Sequence, residues 1–218
     1  MQLYSYFRSS ASYRVRIALA LKGLQADYLA VHLAKSEQLA PAYAAVSASR
    51  LVPTLVDGPA ALTQSLAIIE FLDETHPQQP LLPRTALERA HVRALALDIA
   101  CEIHPLNNLR VLRYLTQELK VSEDDKNCWY QHWVETGLAA IEQRLERQAQ
   151  LEPKSQPADF CHGNTPTLAD CVLVPQIFNA QRFNCRLDHV PLVMRVHQNC
   201  MQLDAFSSTR PEACPDAE

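Results

Sequence analysis

The chain has only four glycines in 218 residues, and no two of them are neighbours. A loop that cradles a nucleoside triphosphate needs several close together, so that backbone N–H groups can approach the phosphates. Such a ligand is therefore a poor candidate. Runs of basic residues are absent too, and the net charge is −4 with a pI near 6.1, which argues against a nucleic-acid surface. No window reaches the roughly 18 apolar residues that a membrane span requires, and Met1-Gln2-Leu3-Tyr4 shows neither the basic flank nor the apolar core of a secretory signal. The seven cysteines, at 101, 128, 161, 171, 185, 200 and 214, are odd in number and lack short paired spacing. That pattern suits reduced thiols in a cytoplasmic protein rather than a disulfide framework. Cys161-His162 and Cys185 with His189 are the nearest things to ligand pairs, but their spacing is not that of a tetrahedral site, and no metal is expected.

What is present is ordinary for a globular chain: 48% hydrophobic and 20% charged residues, with length enough for one large domain or two small ones. The most informative stretch lies near the start. Leu3-Tyr4-Ser5-Tyr6-Phe7 alternates and carries aromatics, as a short strand does. Val15, Ile17, Ala18, Leu19 and Leu21 then form a dense apolar helix pattern that Gly23 should stop. Between them lie Arg8-Ser9-Ser10-Ala11-Ser12. A serine in such a strand-to-helix turn can cap the helix, and the free N–H groups and positive dipole end then face whatever occupies the turn. A small anion such as a thiolate or carboxylate fits there. The bland reading, that these serines only cap, stands beside it.

The following segments read in order as a second strand at Tyr28–Leu33, a short helix from Ser36 to Ala45 with Ser36 as its cap, and a hairpin. Asp57-Gly58 signals the turn between strands Thr54–Val56 and Ala60–Leu62. A helix over Gln64–Leu72 follows, capped by Thr63 or Ser65. Strand–helix alternation ending in a hairpin implies a mixed sheet covered by helices. Pro77, Pro80 and Pro83 then mark a domain boundary. Beyond it the pattern is helical: Thr85 through Glu118 in one run kinked by Pro105, a second helix from about Asp124 with Val134, Leu138, Ile141 and Leu145 on one face, a third to about Phe183 behind a Thr167–Asp170 capping box, and a last one over Pro191–Leu203. Ser207 to Glu218 reads as a loose tail.

These segments carry a family resemblance over nearly the whole chain. Ser9-Ser10-Ala11 leading into Arg14-Val15-Arg16-Ile17-Ala18-Leu19 resembles the zeta-class glutathione transferase motif, whose usual form is Ser-Ser-Cys-x-x-Arg-Val-Arg-Ile-Ala-Leu. Val52-Pro53-Thr54-Leu55 resembles the family's cis-proline segment, and Gln64-Ser65-Leu66-Ala67 its glutathione-clamping turn. The segments His104–Leu112 and Pro175–Phe183 are similar to those of bacterial maleylacetoacetate and maleylpyruvate isomerases. The resemblance implies an α/β plus all-α fold: a thioredoxin-like domain with a mixed four-stranded sheet over residues 1–80, binding glutathione, and an all-helical substrate domain over 84–218. It also implies a homodimer.

Carried over residue by residue, the resemblance has Ser9 hydrogen-bond the glutathione sulfur with Ser10 beside it. Val52 pairs its backbone with the cysteinyl moiety next to Pro53, Gln64 and Ser65 hold the γ-glutamyl carboxylate, and Gln38 and Arg50 lie near the glycyl end. A free thiol titrates near 8.5, and only the thiolate is nucleophilic, so a hydroxyl donor at a helix start serves the chemistry. The implied substrates are dianionic cis-enediones, for whose carboxylates and developing negative charge Arg8, Arg110 and Arg182 are the candidates. His104 and Asn108, four apart, would touch glutathione or substrate; Asp170 reads as a helix cap and not as a catalytic acid. The family cysteine is Ala11 here, so no thiol is needed at that place. The reading is a glutathione-dependent cis–trans isomerase acting on maleylacetoacetate or maleylpyruvate. A zeta-like transferase of α-haloacids or peroxides and a non-catalytic binding module are the alternatives.

Overall fold

The computed structural model describes residues 1–151 and 158–218. It divides into two compact units: Met1–Leu82 together with Met201–Glu218, and Pro83–Cys200. The division between them falls inside the proline-rich segment. The C-terminal stretch, expected to belong with the helices and to be loose, groups instead with the first unit.

In the first unit a four-stranded sheet has the order β2-β1-β3-β4. Strand β1 (Gln2–Ser5) pairs parallel to β2 (Asp27–Ala30) and antiparallel to β3 (Thr54–Asp57), which forms a hairpin with β4 (Ala60–Thr63). β1 stops two residues short of the expected end because Tyr6 and Phe7 leave the ladder. They join Val31, Tyr43 and Val52 in an apolar cluster, and the Ser9 N–H closes the turn on the Tyr6 carbonyl at 3.0 Å. The hairpin is where Asp57-Gly58 placed it but one residue later: Asp57 pairs with Ala60, and Gly58-Pro59 makes the turn. Gly58 has φ +56, as the first position of a primed turn requires, and Pro59 could not adopt that value at the second.

Helix α1 (Ser10–Leu21) is buried over most of its circumference, including Arg14 and Arg16. It ends as the glycine predicts. Gly23 takes φ +66, its N–H bonds the Ala20 carbonyl, and the Leu24 N–H bonds the Leu19 carbonyl, which together make a Schellman cap. The helix expected from Ser36 does not form there. Two single 3₁₀ turns, Leu33–Lys35 and Glu37–Leu39, precede α2 (Pro41–Val46), and Ser36 sits left-handed between them, closing the first through its N–H on the Leu33 carbonyl while its side chain makes no cap bond to the second. Proline at the first position of α2 needs no N–H partner, and that sets the start. Helix α3 (Ser65–Thr75) completes the unit's α/β layer. The chain then stays attached as far as Leu81. Buried Lys22 reaches Asp73 at 2.7 Å and the carbonyls of His76 and Gln79, while Asp73 also accepts from Leu81 N–H.

The second unit is helical. Its single kinked helix over 85–118 is corrected by the structure into four pieces: α4 (Ala86–Leu97), a π-helical segment over Asp98–Ile103, α5 (His104–Asn107) and α6 (Leu109–Gln117). The wide turn precedes Pro105, where an N–H is missing and an α-turn carbonyl would collide with the ring. The real break is at Asn108, whose extended backbone (ψ 160) ends one helix while its side chain caps the next. Helices α7 (Glu123–Leu151), α8 (Leu168–Arg182) and α9 (Pro191–Met201) follow. α8 runs through Pro175 to the expected end, and the four apolar residues assigned to the inner face of α7 are all buried. A short α10 (Asp204–Ser207) already belongs to the first unit. Among the described residues no helix is long and apolar enough to cross a membrane.

Candidate active site

Ser9 is the residue at which β1 hands over to α1. It is the N-cap of the helix, and its Oγ accepts from Ser12 N–H at 3.2 Å. A hydroxyl has two acceptor lone pairs and one proton, so capping leaves the proton available. The bland reading and the functional one are therefore compatible: the same oxygen ends the helix and can donate to an anion at its positive end. Ser10 is buried as the first helical residue, and Ala11 is half-buried. Arg8 is exposed, with its guanidinium stacked on Phe7 at 4.7 Å and on Tyr6 at 6.0 Å from the ring centroids.

Two other segments pack against this turn's flanks, one at Tyr6 and Phe7 before it and one at Arg14 of the helix behind it. The Val52–Pro53 peptide is cis, and Val52 lies in the cluster with Tyr6 and Phe7, so the residues on either side of the turn share one apolar anchor. Ser65 is buried and its Oγ accepts from Arg14 of α1 at 3.3 Å, which ties the start of α3 to α1. Neither Thr63 nor Ser65 caps α3. The cap position is Gln64, in a left-handed conformation (φ 68) and making no side-chain cap bond. A non-glycine residue held there is strained, and such strain collects at ligand clamps. An uncapped helix start with a buried serine is a ready cradle for a carboxylate. Gln38, on the second 3₁₀ turn, has its side-chain oxygen sealed from solvent with no hydrogen-bond partner. Arg50 is exposed with φ 53. Sequence spacing alone marked neither.

In the second unit, His104 begins α5 and is half-buried. The shared helix face expected of His104 and Asn108 is interrupted, because α5 stops between them. The Asn108 amide is engaged at both ends, donating to the Pro105 carbonyl at 3.0 Å and accepting from Val111 N–H at 3.2 Å. Arg110 is exposed on the first turn of the helix that Asn108 caps. Trp129 fixes the preceding turn by donating its Nε1–H to the Leu106 carbonyl at 2.7 Å. Arg182 ends α8, its guanidinium 4.8 Å from the centroid of Phe183, which stacks on buried Tyr130 at 3.8 Å. The order Arg182, Phe183, Tyr130 is a stack that orients an exposed cation from a buried base.

Asp170 is fully buried and accepts from Cys161 N–H (2.8 Å), Thr167 N–H (2.7 Å) and Thr167 Oγ–H (2.8 Å), the geometry of a structural cap. Burial works against its charge and pushes its pKa up, against these hydrogen bonds. Cys161 and Cys185 contribute to no cluster: among the described residues no group of three or more His, Cys, Asp or Glu side chains is placed to hold a metal. The sequence reading missed Arg16. Its buried guanidinium donates to the carbonyls of Tyr6 (3.5 Å) and Phe7 (3.0 Å), directly before the Arg8-Ser9 turn. The available signal was a pair of arginines, Arg14 and Arg16, two apart in a densely apolar run and so unable to share one helix face.

Comparison with known proteins agrees with this geometry. The family profile "Glutathione S-transferase, N-terminal domain" matches residues 3–80. A maleylpyruvate isomerase of a Ralstonia species is 46% identical over the whole of both chains. A holo structure of a bacterial zeta-class maleylpyruvate isomerase superimposes with a TM-score of 0.94 at 45% identity, covering both chains fully. The maleylacetoacetate isomerase of Methylobacterium extorquens, solved with malonate and glutathione bound, gives 0.93 at 32% identity, again over all of both chains. Full-length similarity to proteins so named, together with the cap serine, the cis-proline segment and the uncapped α3, shows that this chain belongs to the zeta-class glutathione transferase family that includes the maleylacetoacetate and maleylpyruvate isomerases.

Proposed function

We propose that this protein is a glutathione-dependent cis–trans isomerase of maleylacetoacetate or maleylpyruvate, serving aromatic catabolism in a reducing cytoplasm as a homodimer. The observation that carries the reading is Ser9, whose oxygen caps α1 while its proton stays free at the positive end of the helix. Supporting it are the glutathione and the dicarboxylate malonate bound by the Methylobacterium relative. All seven cysteines are free thiols, in keeping with a reducing compartment.

Bound glutathione supplies a sulfur nucleophile whose reversible addition makes a carbon–carbon double bond temporarily single. The chain's own residues do the rest. Ser9 donates to the sulfur, and the start of α1, with Ser10, favours its anion. Val52 offers backbone groups to the cysteinyl moiety, Gln64 and Ser65 with the free N–H groups of α3 take the γ-glutamyl carboxylate, and Gln38 and Arg50 take the glycyl end. Arg110 and Arg182 hold the substrate carboxylates, and Arg8 offsets the negative charge that develops as the double bond is lost. His104 lines the substrate end. Asn108, whose amide is committed to the backbone, acts through the start of α6 and so through Arg110. Residues 1–80 thus form the glutathione domain, and 84 onward the substrate domain, except that the last residues serve the first.

The test is loss of cis-enedione absorbance with maleylpyruvate and with maleylacetoacetate, each with and without glutathione. Turnover that requires glutathione and falls roughly 100-fold in Ser9→Ala, the scale of losing one transition-state donor, supports the reading, and the ratio of kcat/KM for the two acids names the substrate. Glutathione binding without turnover of either acid sinks it. Light scattering of the purified protein tests the dimer.

A further inference from the structure

The C-terminal stretch does not merely cover the first unit; it holds the peptide that precedes the catalytic turn. Phe206 is fully buried, and its carbonyl accepts from Tyr13 O–H at 2.9 Å. The Thr209 carbonyl accepts from Arg16 Nε at 3.1 Å. Asp216 then spreads its two oxygens: Oδ2 accepts from the Phe7 backbone N–H at 3.2 Å, and Oδ1 from Tyr28 O–H at 2.6 Å. Burial and this bond push the Tyr28 pKa up, so the phenol remains a donor. Glu218, two residues on, pairs with Lys35 at 2.6 Å and His32 at 3.3 Å, which pins the far side of the tail.

Both polar groups of the Phe7 backbone are therefore taken by side chains from elsewhere. Its carbonyl receives Arg16, and its N–H receives Asp216. Residue 7 is the last before Arg8 and Ser9, and it has left the sheet, so no ladder bond fixes it. Without a partner its N–H would be a half-buried donor free to turn, and Ser9 would turn with it. We propose that Asp216 is a positioning residue for the Ser9 turn: through the Phe7 N–H it sets where the Ser9 hydroxyl points, and hence how far the bound glutathione thiol is ionised. This rests on Ser9 being the donor to sulfur.

The test uses the full chain with Asp216→Ala, Asp216→Asn and Tyr28→Phe, reading the ultraviolet thiolate absorbance of bound glutathione, its Kd, kcat and KM, and the melting temperature. Asp216→Ala is expected to bind glutathione within about threefold of wild type but with a reduced thiolate fraction and roughly tenfold lower kcat, the effect of a hydroxyl shift smaller than the 1 Å misplacement that can cost about 100-fold. Asp216→Asn keeps an acceptor for Phe7 N–H and should recover most of both. Tyr28→Phe leaves the carboxylate in place, removes its phenol anchor along with the phenol's contacts to Ser5 and Cys214, and gives the same change in smaller measure, which keeps the test alive should Asp216→Ala not fold. A lowered melting temperature with unchanged thiolate fraction and kcat in Asp216→Ala and Tyr28→Phe overturns the proposal and leaves the tail a mere brace. If the wild-type complex itself shows no thiolate, the role given to Ser9 fails first and this inference falls with it.

Discussion

Replacing Gly137 by alanine tests how the second unit holds its candidate substrate residues. Gly137 lies in the middle of α7, where glycine costs roughly 1 kcal/mol relative to alanine, so helix propensity alone predicts stabilisation. The packing reverses the sign. A Cβ there would lie 2.3 Å from Cγ1 and 2.5 Å from Cδ1 of Ile103, which is 1% exposed. Cγ1 is close to the backbone on a β-branched side chain with a stiff χ1, so the clash cannot be relieved by swinging a distant tip. Either Ile103 leaves its rotamer or the π-helical segment moves away from α7. Overpacking of this kind costs about 1–3 kcal/mol. Taking the upper end against the propensity gain leaves a net loss of about 2 kcal/mol, or roughly 8 °C for a unit of this size. Thermal melts followed by circular dichroism would measure it. In an Ile103→Ala background the clashing atoms are gone, and the same Gly137→Ala change should become neutral or stabilising, a coupling of at least about 2 kcal/mol. Ile103 directly precedes His104, so the single variant should also raise KM for the dicarboxylate while leaving glutathione affinity alone. A Gly137→Ala protein that melts at or above wild type would refute the steric reasoning.

Three further outcomes follow from the second unit. Asp170→Ala removes an acceptor from three buried donors and should cost on the order of 4 kcal/mol, measured by urea unfolding; a loss under about 1 kcal/mol would mean water replaces the carboxylate. Phe183→Leu breaks the Arg182–Phe183–Tyr130 stack and should raise KM for the dicarboxylate about fivefold, the value of a cation–π contact near 1 kcal/mol, with glutathione Kd unchanged; equal effects on both ligands would show general damage. Burial lowers the pKa of His197 below its usual 6.5. The unfolded chain therefore takes up this proton first, so the stability His197 confers is complete above about pH 6.5 and is lost as pH falls through the lower folded value. His197→Asn should flatten that acid limb relative to wild type in melts from pH 7 to pH 5, and parallel curves would exclude His197 as its source.

The elements that could be read from the chain are those whose determinants are local. The Ser9 cap and the Gly23 stop of α1 depend on side chains and dihedrals within a turn of the helix end, and both occur where the residue types put them. The hairpin shifted by one residue because Gly58-Pro59 satisfies the turn geometry as well as Asp57-Gly58 does, a choice settled by cross-strand register. Pro105 correctly signalled trouble, but proline tells where an N–H is missing, not how the backbone absorbs it. Here the π-helical segment absorbs it upstream, and Asn108 restarts the helix downstream. Ser36 failed as a cap because Pro41, five residues on, is the stronger start signal.

The candidate site divides along the same line. Ser9, Gln64 and Ser65 belong to chemistry carried by helix starts, which a sequence can display. Arg110 and Arg182 do not, since an exposed arginine on a helix looks the same whether it meets a carboxylate or only water, and just the resemblance of their segments picked them out. The tail was least readable of all. Its composition of proline, serine and acids is that of loose chain, and its order comes from partners remote in sequence: Phe7 lies 209 residues from Asp216, and Tyr28 lies 188. No window of sequence contains both ends of such a bond. A carboxylate near a C-terminus reads as solvated until the structure supplies a backbone N–H that nothing else satisfies. The unsatisfied group was predictable in principle, because a strand that ends at Ser5 in favour of an apolar cluster at Tyr6 and Phe7 must find partners for the peptide groups it strands. Arg16 and Asp216 are those partners, one for each polarity: Arg16 stands inside the helix of the serine-turn motif, and Asp216 lies far outside any motif by which this family is recognised. The Ser9 turn is thus specified twice, once by the residues that compose it and once by residues that hold its backbone.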